Sequence, residues 1–352
     1  MSYDGGMAAI NLEMPERVPR TEYSAHFYWD LVGKVTGINI TQDTDDAVKQ
    51  KAMRGFVKAW DYGFFWNILV HNQIFNGHCT KMGHAVYSQG GTDYSTEISS
   101  PFRSVEEVLN FDPLSFFPAI DKNIWAENFN KQYDADSALF PDCVNTTGVY
   151  VTCMSGLIEL FGWDYLLSAA GEDIKRFGAL TERYFAFIGQ YFEALAQSKT
   201  PVAIVHDDIV WTSGAFIHPD YYRTFIFPGY KKLFKILRDS GKKILFTSDG
   251  NYTQFIDDIA CCGVHGFVLE PLTDMRYVAE KYGKTHVFVG NADTRILLEG
   301  GKEKIYAEVK RCIDIGKKCP GFIMAVGNHI PSNTPIDNAL YYNEAYLSLS
   351  KR

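Results

Sequence analysis

From about Pro201 onward, short runs of β-branched and aromatic residues alternate with longer amphipathic stretches. "PVAIVHDD", "KKILFTSDG", "HGFVLEP", "THVFVGNAD" and "GFIMAVGNH" each carry a short apolar run and then turn abruptly polar. Runs that are apolar throughout suit strands buried on both faces of a parallel sheet. Between them, "HPDYYRTFIFPGYKKLFKILRDSG", "NYTQFIDDIACCG", "DMRYVAEKYG" and "KEKIYAEVKRCIDIGKK" predict helices, several of them closing at glycine. Five such strand and helix units with short connections imply right-handed crossovers and a parallel sheet. Three further strands are predicted at "GFFWNILV", at "NTTGVYVT" and near "VPRTEYSA". Eight strands would close a (β/α)8 TIM barrel, so the expected class is α/β. The alternative is an open doubly wound sheet, which the missing GxGxxG after an early strand disfavours. Residues from roughly 70 to 140 are aromatic and irregular, and predict an insertion over the barrel mouth. No internal repeat or interdomain linker interrupts the pattern, so residues 1–352 are expected to form a single domain.

Composition narrows the class of partner. A hydrophobic share of 46% with 15% aromatic residues supplies a sizeable core and excludes a disordered or fibrous chain. The net charge of −8 argues against nucleic-acid and anionic membrane surfaces, which need a basic footprint. No apolar run approaches the roughly 20 residues that span a bilayer, and "MSYDGGMAAINLEMPERVPR" lacks the charged-then-apolar order of a signal peptide. A cytoplasmic protein acting on small molecules is the expectation. Cys79, Cys143, Cys153, Cys261, Cys262, Cys312 and Cys319 include no CxxC pair and read as reduced thiols, most of them in the core.

In a barrel the reacting groups gather at the C-terminal ends of the strands. Here those ends carry His206, Asp207 and Asp208, then Thr247, Ser248 and Asp249, then Glu270, then Asn291 and Asp293, and finally Asn328 and His329. Singly, each has a plainer explanation as a helix N-cap or loop residue, Asp249 and Asp293 above all. Together, five consecutive strand ends bearing carboxylates, imidazoles and amides predict a site. Asp249, His329, His206 and Asp208 are the expected catalytic groups. Ser248 and Asn251 are expected to cap the following helix. Trp211, Phe216, Tyr94, His84 and Tyr252 flank the mouth in sequence and are candidates for a flat apolar slot.

These ordered blocks resemble the uroporphyrinogen decarboxylase-like superfamily. The run from Asp207 through "HPDYYRTFIFPGYKKLFKIL", the "SDGN" turn, "GFVLEP", "VGNAD" and "GNHIP" are similar to successive family blocks, and "ERVPRTEYSAHFYWDLVGK" is similar to the start of its methyltransferase branch. The resemblance implies a (β/α)8 barrel and one of two activities. Its decarboxylases grip a many-carboxylate tetrapyrrole with an arginine-rich N-terminal loop; the corresponding region here offers only Arg17 and Arg20. The corrinoid-dependent methyltransferase branch is therefore the expected one. Its enzymes that methylate coenzyme M hold zinc with a His-x-Cys pair and a distant Cys, and the aligned positions here are Thr247, Asp249 and Asn328. A thiol acceptor needs that soft ligand set, so thiol methylation is not expected.

What the resemblance then implies is O-demethylation of a methoxylated aromatic compound, the methyl group passing to cob(I)alamin on a separate corrinoid protein. Cob(I)alamin is already a strong nucleophile, so the enzyme must improve a phenolate leaving group whose free pKa is about 10. A buried acid or a hard zinc site would do so. His329, Glu270, Asp249 and Asp293 are the candidate zinc ligands. The spacing of Asp293, Glu308 and His329 is similar to a zinc pattern of some relatives, although Glu308 lies mid-helix where a solvated face is expected. The rivals are a porphyrinogen-type decarboxylase, a corrinoid methyltransferase for a methylamine or methylthiol, and a non-catalytic binding barrel. The sequence carries no docking patch specific to a corrinoid protein and leaves homo-oligomer formation open.

Overall fold

The computed structural model describes residues 3–41, 43–80, 85–88, 91–94 and 99–352, with 85–88 and 91–94 described by backbone alone. The fold is α/β, its parallel strands alternating with helices in the order of a (β/α)8 chain. Contacts cluster it into two compact units. Met1–Trp66, Asp134–Asn145 and Gly266–Arg352 make the first; Asn67–Tyr133 and Thr146–His265 make the second. No helix among the described residues is long and apolar enough to cross a membrane.

The second unit is built on three parallel strands, with Val202–His206 between Thr147–Val149 and Lys243–Thr247. All five residues of the central strand are buried, as its unbroken apolar run requires. The register runs from Val202 opposite Lys243 to His206 opposite Thr247. The crossover to the central strand holds the helices Met154–Glu172 and Ile174–Ala196. The second of these buries Phe177, Leu180, Tyr184, Phe187, Ile188, Tyr191 and Leu195, the spacing of one helical face, and Asp173 caps it by accepting the Lys175 and Arg176 amides. The helix predicted over residues 218–241 is present with one departure. Tyr222–Ile226 is a π-helical turn between Pro219–Tyr221 and Phe227–Asp239. Pro228 has no amide hydrogen to return to the preceding turn, and a widened turn accommodates the missing bond. The region predicted as an insertion contributes an antiparallel hairpin of Ala85–Ser88 with Gly91–Tyr94 and the short helices Val105–Asn110 and Pro113–Phe116 to this unit.

In the first unit Phe64–Phe65 pairs in parallel with Val144–Asn145, and Gly266–Val268, Val287–Val289 and Phe322–Ile323 lie side by side in that order. The strand expected near Arg20 contracts to one parallel bridge with Met324, framed by the Thr21 amide donating to Met324 O at 3.0 Å and the Met324 amide donating to Pro19 O at 2.7 Å. Pro19 cannot extend that ladder because it has no N–H.

Arg20 itself is fully buried. Its guanidinium donates to Glu22 Oε1 and to Asn343 Oδ1, each at 2.6 Å, and lies over the rings of Trp60, Tyr342 and Tyr346 at 4.6, 5.2 and 4.5 Å. Glu22 also accepts the Tyr342 hydroxyl at 2.8 Å and the Val326 amide at 3.0 Å. The bridge segment is thus held by a buried ion pair, bonded through both terminal nitrogens of the guanidinium, where a β-ladder was expected.

His26 is buried among Phe27, Phe65 and Phe140, with ring centroids 4.1, 5.1 and 6.4 Å away. Burial, with the His329 ring as a second cause, lowers its pKa from 6.5 to about 4. A neutral folded-state histidine contributes fully above the unfolded pKa, and that contribution is lost as pH falls towards the folded one. Unfolding free energy should therefore drop by roughly 3 kcal/mol between about pH 6.5 and pH 4 on this account alone. Urea titrations across that range should show a shallower loss in His26→Phe than in the unsubstituted chain; identical slopes would contradict it.

Candidate functional site

The register of the second unit assembles a polar cluster from two strand ends. His206 ends one strand directly opposite Thr247 on the next, so Asp208 and Asp249, each two residues further on, leave the sheet together. His206 Nε2 lies 3.2 Å from Asp208 Oδ1, which also accepts the Asp249 amide at 2.9 Å. One ligand atom from each of His206, Asp208 and Asp249 falls within 4.8 Å of the other two. Exposure is graded across the cluster: His206 is buried, Asp208 half-buried and Asp249 exposed.

The imidazole is fixed from both sides. Its Nδ1 lies 3.1 Å from the Tyr150 carbonyl oxygen, and because a carbonyl only accepts, Nδ1 carries the hydrogen and Nε2 faces the carboxylates. The Tyr150 ring stacks on His206 at 3.8 Å with planes 11° apart, and His71 stacks on the outer face of Tyr150 at 5.1 Å. Burial opposes charge on His206, but the Asp208 carboxylate, with help from Asp249 and the Tyr150 carbonyl, outweighs it and raises the pKa to about 9. Without a metal, a proton therefore sits on Nε2 at neutral pH.

Asp207, between the two, faces the other way, as alternation along a strand requires. It is fully buried and accepts the Ser155 amide at 2.7 Å and the Tyr230 hydroxyl at 2.5 Å. Burial pushes its carboxyl up to about 6 in spite of these donors. Its position at the start of the helix Met154–Glu172, where Cys153 supplies no side-chain cap, makes it that helix's anion. Ser155 Oγ accepts the Asp208 amide at 2.7 Å and so ties the helix start to the cluster.

The loop Thr247–Asn251 is bonded to the hairpin Val210–Trp211 and Gly214–Ala215. The Ile209 amide donates to Ser248 Oγ at 3.2 Å and the Asn251 amide to Trp211 O at 3.0 Å. Ser248 thus joins two strand ends where a helix cap was expected. Asn251 does turn onto the following segment, accepting the Thr253 amide at 3.2 Å and its hydroxyl at 2.7 Å. Gly250 makes the loop possible: its φ is +84°, and a Cβ there would lie 2.7 Å from Trp211 O. Gly250→Ala should lower stability by about 1–3 kcal/mol, readable as a shift in the urea midpoint. An unchanged midpoint would show that the loop does not hold this geometry.

Trp211 of the same hairpin joins an aromatic trio. Trp163, Trp211 and Phe216 meet pairwise at 4.9 to 5.5 Å, and Trp211 remains 44% exposed. Trp163 follows Gly162, whose non-helical backbone at φ +74° kinks the helix Met154–Glu172. Tyr252 is fully buried, its ring edge-on to Phe246 at 5.9 Å. His84 lies outside the described residues, and so does the side chain of Tyr94, whose backbone ends the Gly91–Tyr94 strand.

His329, Glu270 and Asp293 belong to the first unit. His329 Nδ1 shares a hydrogen bond with Ser24 Oγ at 2.6 Å, and burial lowers its pKa. Glu270 accepts from the Asn328 side chain, and Asn328 Oδ1 accepts the His329 amide at 2.8 Å. Asp293 caps the helix Thr294–Glu299 and pairs with Arg295 at 2.6 Å; these bonds hold its carboxyl below the usual range although burial pushes upward. Glu308 is buried, contrary to the solvated face expected of it, pairing with Arg311 at 2.7 Å and accepting the Asp293 amide at 2.9 Å. Among the described residues, the group of His, Cys, Asp and Glu side chains close enough to share an ion is His206, Asp208 and Asp249.

Ser155, Tyr150 and Trp163 are site residues that sequence reasoning missed. The signals for the first two were position: Tyr150 immediately follows the strand Thr147–Val149, and Ser155 lies in the first turn of the helix after it.

Comparison with known proteins places this architecture. A "methyltransferase from Methanosarcina mazei" superposes over 99% of this chain and 99% of its own with a TM-score of 0.63 at 16% identity, a likeness of fold. The uroporphyrinogen decarboxylase of Syntrophotalea carbinolica is 26% identical over 151 residues, covering 43% of this chain and 42% of its own. That of Carboxydothermus hydrogenoformans is 26% identical over 161 residues, covering 46% and 44%. The chain thus spans less than half the length of these curated relatives. The sequence pattern of the Uroporphyrinogen decarboxylase (URO-D) family matches residues 151–346, a stretch that takes in Ser155, the His206 strand end and the Asp249 loop. With more than half of its length matched in this way, the chain belongs to the uroporphyrinogen decarboxylase family.

Proposed function

We propose that this family member is a methyltransferase that removes the methyl group of a methoxylated aromatic compound and passes it to cob(I)alamin on a separate corrinoid protein. The observation that carries this reading is the His206, Asp208 and Asp249 cluster, together with Trp211, three residues after Asp208, whose carbonyl accepts the Asn251 amide and whose ring packs with those of Trp163 and Phe216. An aryl ring suits the trio, and a leaving ether oxygen suits the cluster.

In the transfer, the cobalt electron pair attacks the methyl carbon, the carbon–oxygen bond breaks, and its electron pair stays on oxygen. The phenolate that forms needs positive charge beside it. His206 Nε2, held between carboxylates and oriented by the Tyr150 carbonyl, is where this chain can present that charge, as a proton or as a cation in its place. Asp208 orients the imidazole, and the Asp207 contact with Ser155 holds the supporting helix.

A decarboxylase reading would require guanidinium forks for a tetrapyrrole with many carboxylates. Of the two arginines in the N-terminal region, Arg20 is sealed in a pair with Glu22 and Arg17 lies 4.0 Å from Asp61. The test is to mix the protein with methoxybenzoates or guaiacol-type ethers and a reduced corrinoid protein, and to follow the cob(I)alamin absorption band. Conversion to methylcobalamin with ethers is expected. Conversion with methylamines or methylthiols alone would overturn the choice of donor.

A further inference from the structure

We infer that His206, Asp208 and Asp249 form a binding site for one divalent cation of the zinc class, with an open position for an oxygen ligand. The inference concerns the cluster assigned to methyl transfer above, but its physical basis lies in the donors alone.

Three features point the same way. The donor atoms, one imidazole nitrogen and two carboxylate oxygens, lie within 4.8 Å of one another. Around a tetrahedral zinc with bonds of about 2.0–2.2 Å, neighbouring ligands are about 3.5 Å apart, so closing the set takes a modest rotation of a side chain. Asp249 is the exposed member of the set.

The imidazole is also set up as metal-bound histidines are. Its Nδ1 hydrogen is given to the Tyr150 carbonyl at 3.1 Å, which presents the Nε2 lone pair to the carboxylates once the proton is displaced. Tyr150 stacks on the same ring at 3.8 Å and prevents it from turning away. Asp208 is held in turn, because its amide is fixed by Ser155 Oγ at 2.7 Å and its Oδ1 by the Asp249 amide at 2.9 Å.

The third feature is the gradient of exposure from buried His206 to exposed Asp249. A structural zinc site closes all four positions with protein ligands, whereas a catalytic one keeps three and leaves the fourth open. Three ligands with solvent on one side correspond to the second kind. A nitrogen and two oxygens favour zinc, cobalt or manganese, and the absence of sulfur from the set disfavours copper(I). When bound, such an ion supplies a Lewis acid for an ether oxygen. These donors come from two adjacent strand ends of the second unit, so the site is distinct from the spacing of Asp293, Glu308 and His329, of which Asp293 and Glu308 are engaged by Arg295 and Arg311.

The test uses the full chain stripped with a chelator and titrated calorimetrically with zinc chloride, with cobalt(II) absorption as a second readout. One equivalent should bind with a Kd of about micromolar or tighter. Asp249→Asn, at an exposed position, should keep the far-ultraviolet circular dichroism of the parent and weaken binding by at least about tenfold, as should Asp208→Asn. Failure to bind one equivalent, or equal affinity in the parent and both variants, overturns the site. No methyl donor is present in this titration. Stoichiometric zinc binding in a chain that transfers no methyl group would sustain the metal site and overturn the reaction, and transfer by a chain that binds no zinc would do the reverse.

Discussion

Arg20→Ala is expected to lower the unfolding free energy by about 3–5 kcal/mol, the largest effect on stability anticipated for this chain. The reason is the fate of Glu22. With Arg20 gone, a fully buried carboxylate keeps the Tyr342 hydroxyl and the Val326 amide but loses its countercharge, and the rings of Trp60 and Tyr346 face a void. A double replacement, Arg20→Met with Glu22→Gln, should recover part of the loss, because breaking a buried pair costs more than removing both charges. Urea unfolding of the three chains measures both effects. A midpoint for Arg20→Ala equal to that of the parent would show that the pair contributes nothing, and a double variant less stable than the single one would assign the loss to packing.

His206→Gln is expected to reduce the methyl-transfer rate by about 10²–10⁴-fold while leaving the binding of an aryl ether nearly unchanged. Glutamine can still donate to the Tyr150 carbonyl, but it presents neither a titrating proton nor an imidazole lone pair to the leaving oxygen. The split matters. An interaction made only in the transition state lowers kcat and kcat/KM together, whereas a fault in the aromatic slot raises KM. Trp211→Ala, three residues after Asp208 and on the hairpin that follows it, provides the contrast and should act mainly on KM. A His206→Gln chain with parental kcat would remove His206 from the chemistry.

Much of the fold could be read from hydrophobic runs. The five strands predicted after Pro201 appear at Val202–His206, Lys243–Thr247, Gly266–Val268, Val287–Val289 and Phe322–Ile323, because fully buried parallel strands leave an apolar run that little else imitates. Near Arg20 the same reasoning overreached. A strand was expected there, whereas Arg20 is the centre of a buried network whose partners Asn343 and Tyr342 lie more than 300 residues away. No local pattern discloses such a partner.

The site was legible as a set of strand ends but not as a neighbourhood. His206, Asp208 and Asp249 could each be named from position, yet their grouping depends on the register that sets His206 opposite Thr247, which periodicity does not specify. Glu308 shows a signal that was present and passed over. It stands three residues after buried Ile305 and four before buried Cys312, on the inward stripe of its helix, so burial followed from the spacing. Trp163 was hidden for the opposite reason: the helix leading to it is buried throughout from Met154 to Gly162, and the Gly162 kink breaks the period that would have shown which way the ring points.

The central claim is that the His206, Asp208 and Asp249 cluster activates a methyl ether towards cob(I)alamin. The measurement closest to it is the single-turnover conversion of cob(I)alamin to methylcobalamin with a methoxylated aromatic donor, followed by absorbance, for the parent chain and for Asp249→Asn. The parent should complete the conversion and release the free phenol, and the variant should slow it by about 10²-fold or more with its fold intact. No conversion by the parent across a broad panel of aryl methyl ethers, or equal rates in the two chains, would contradict the account.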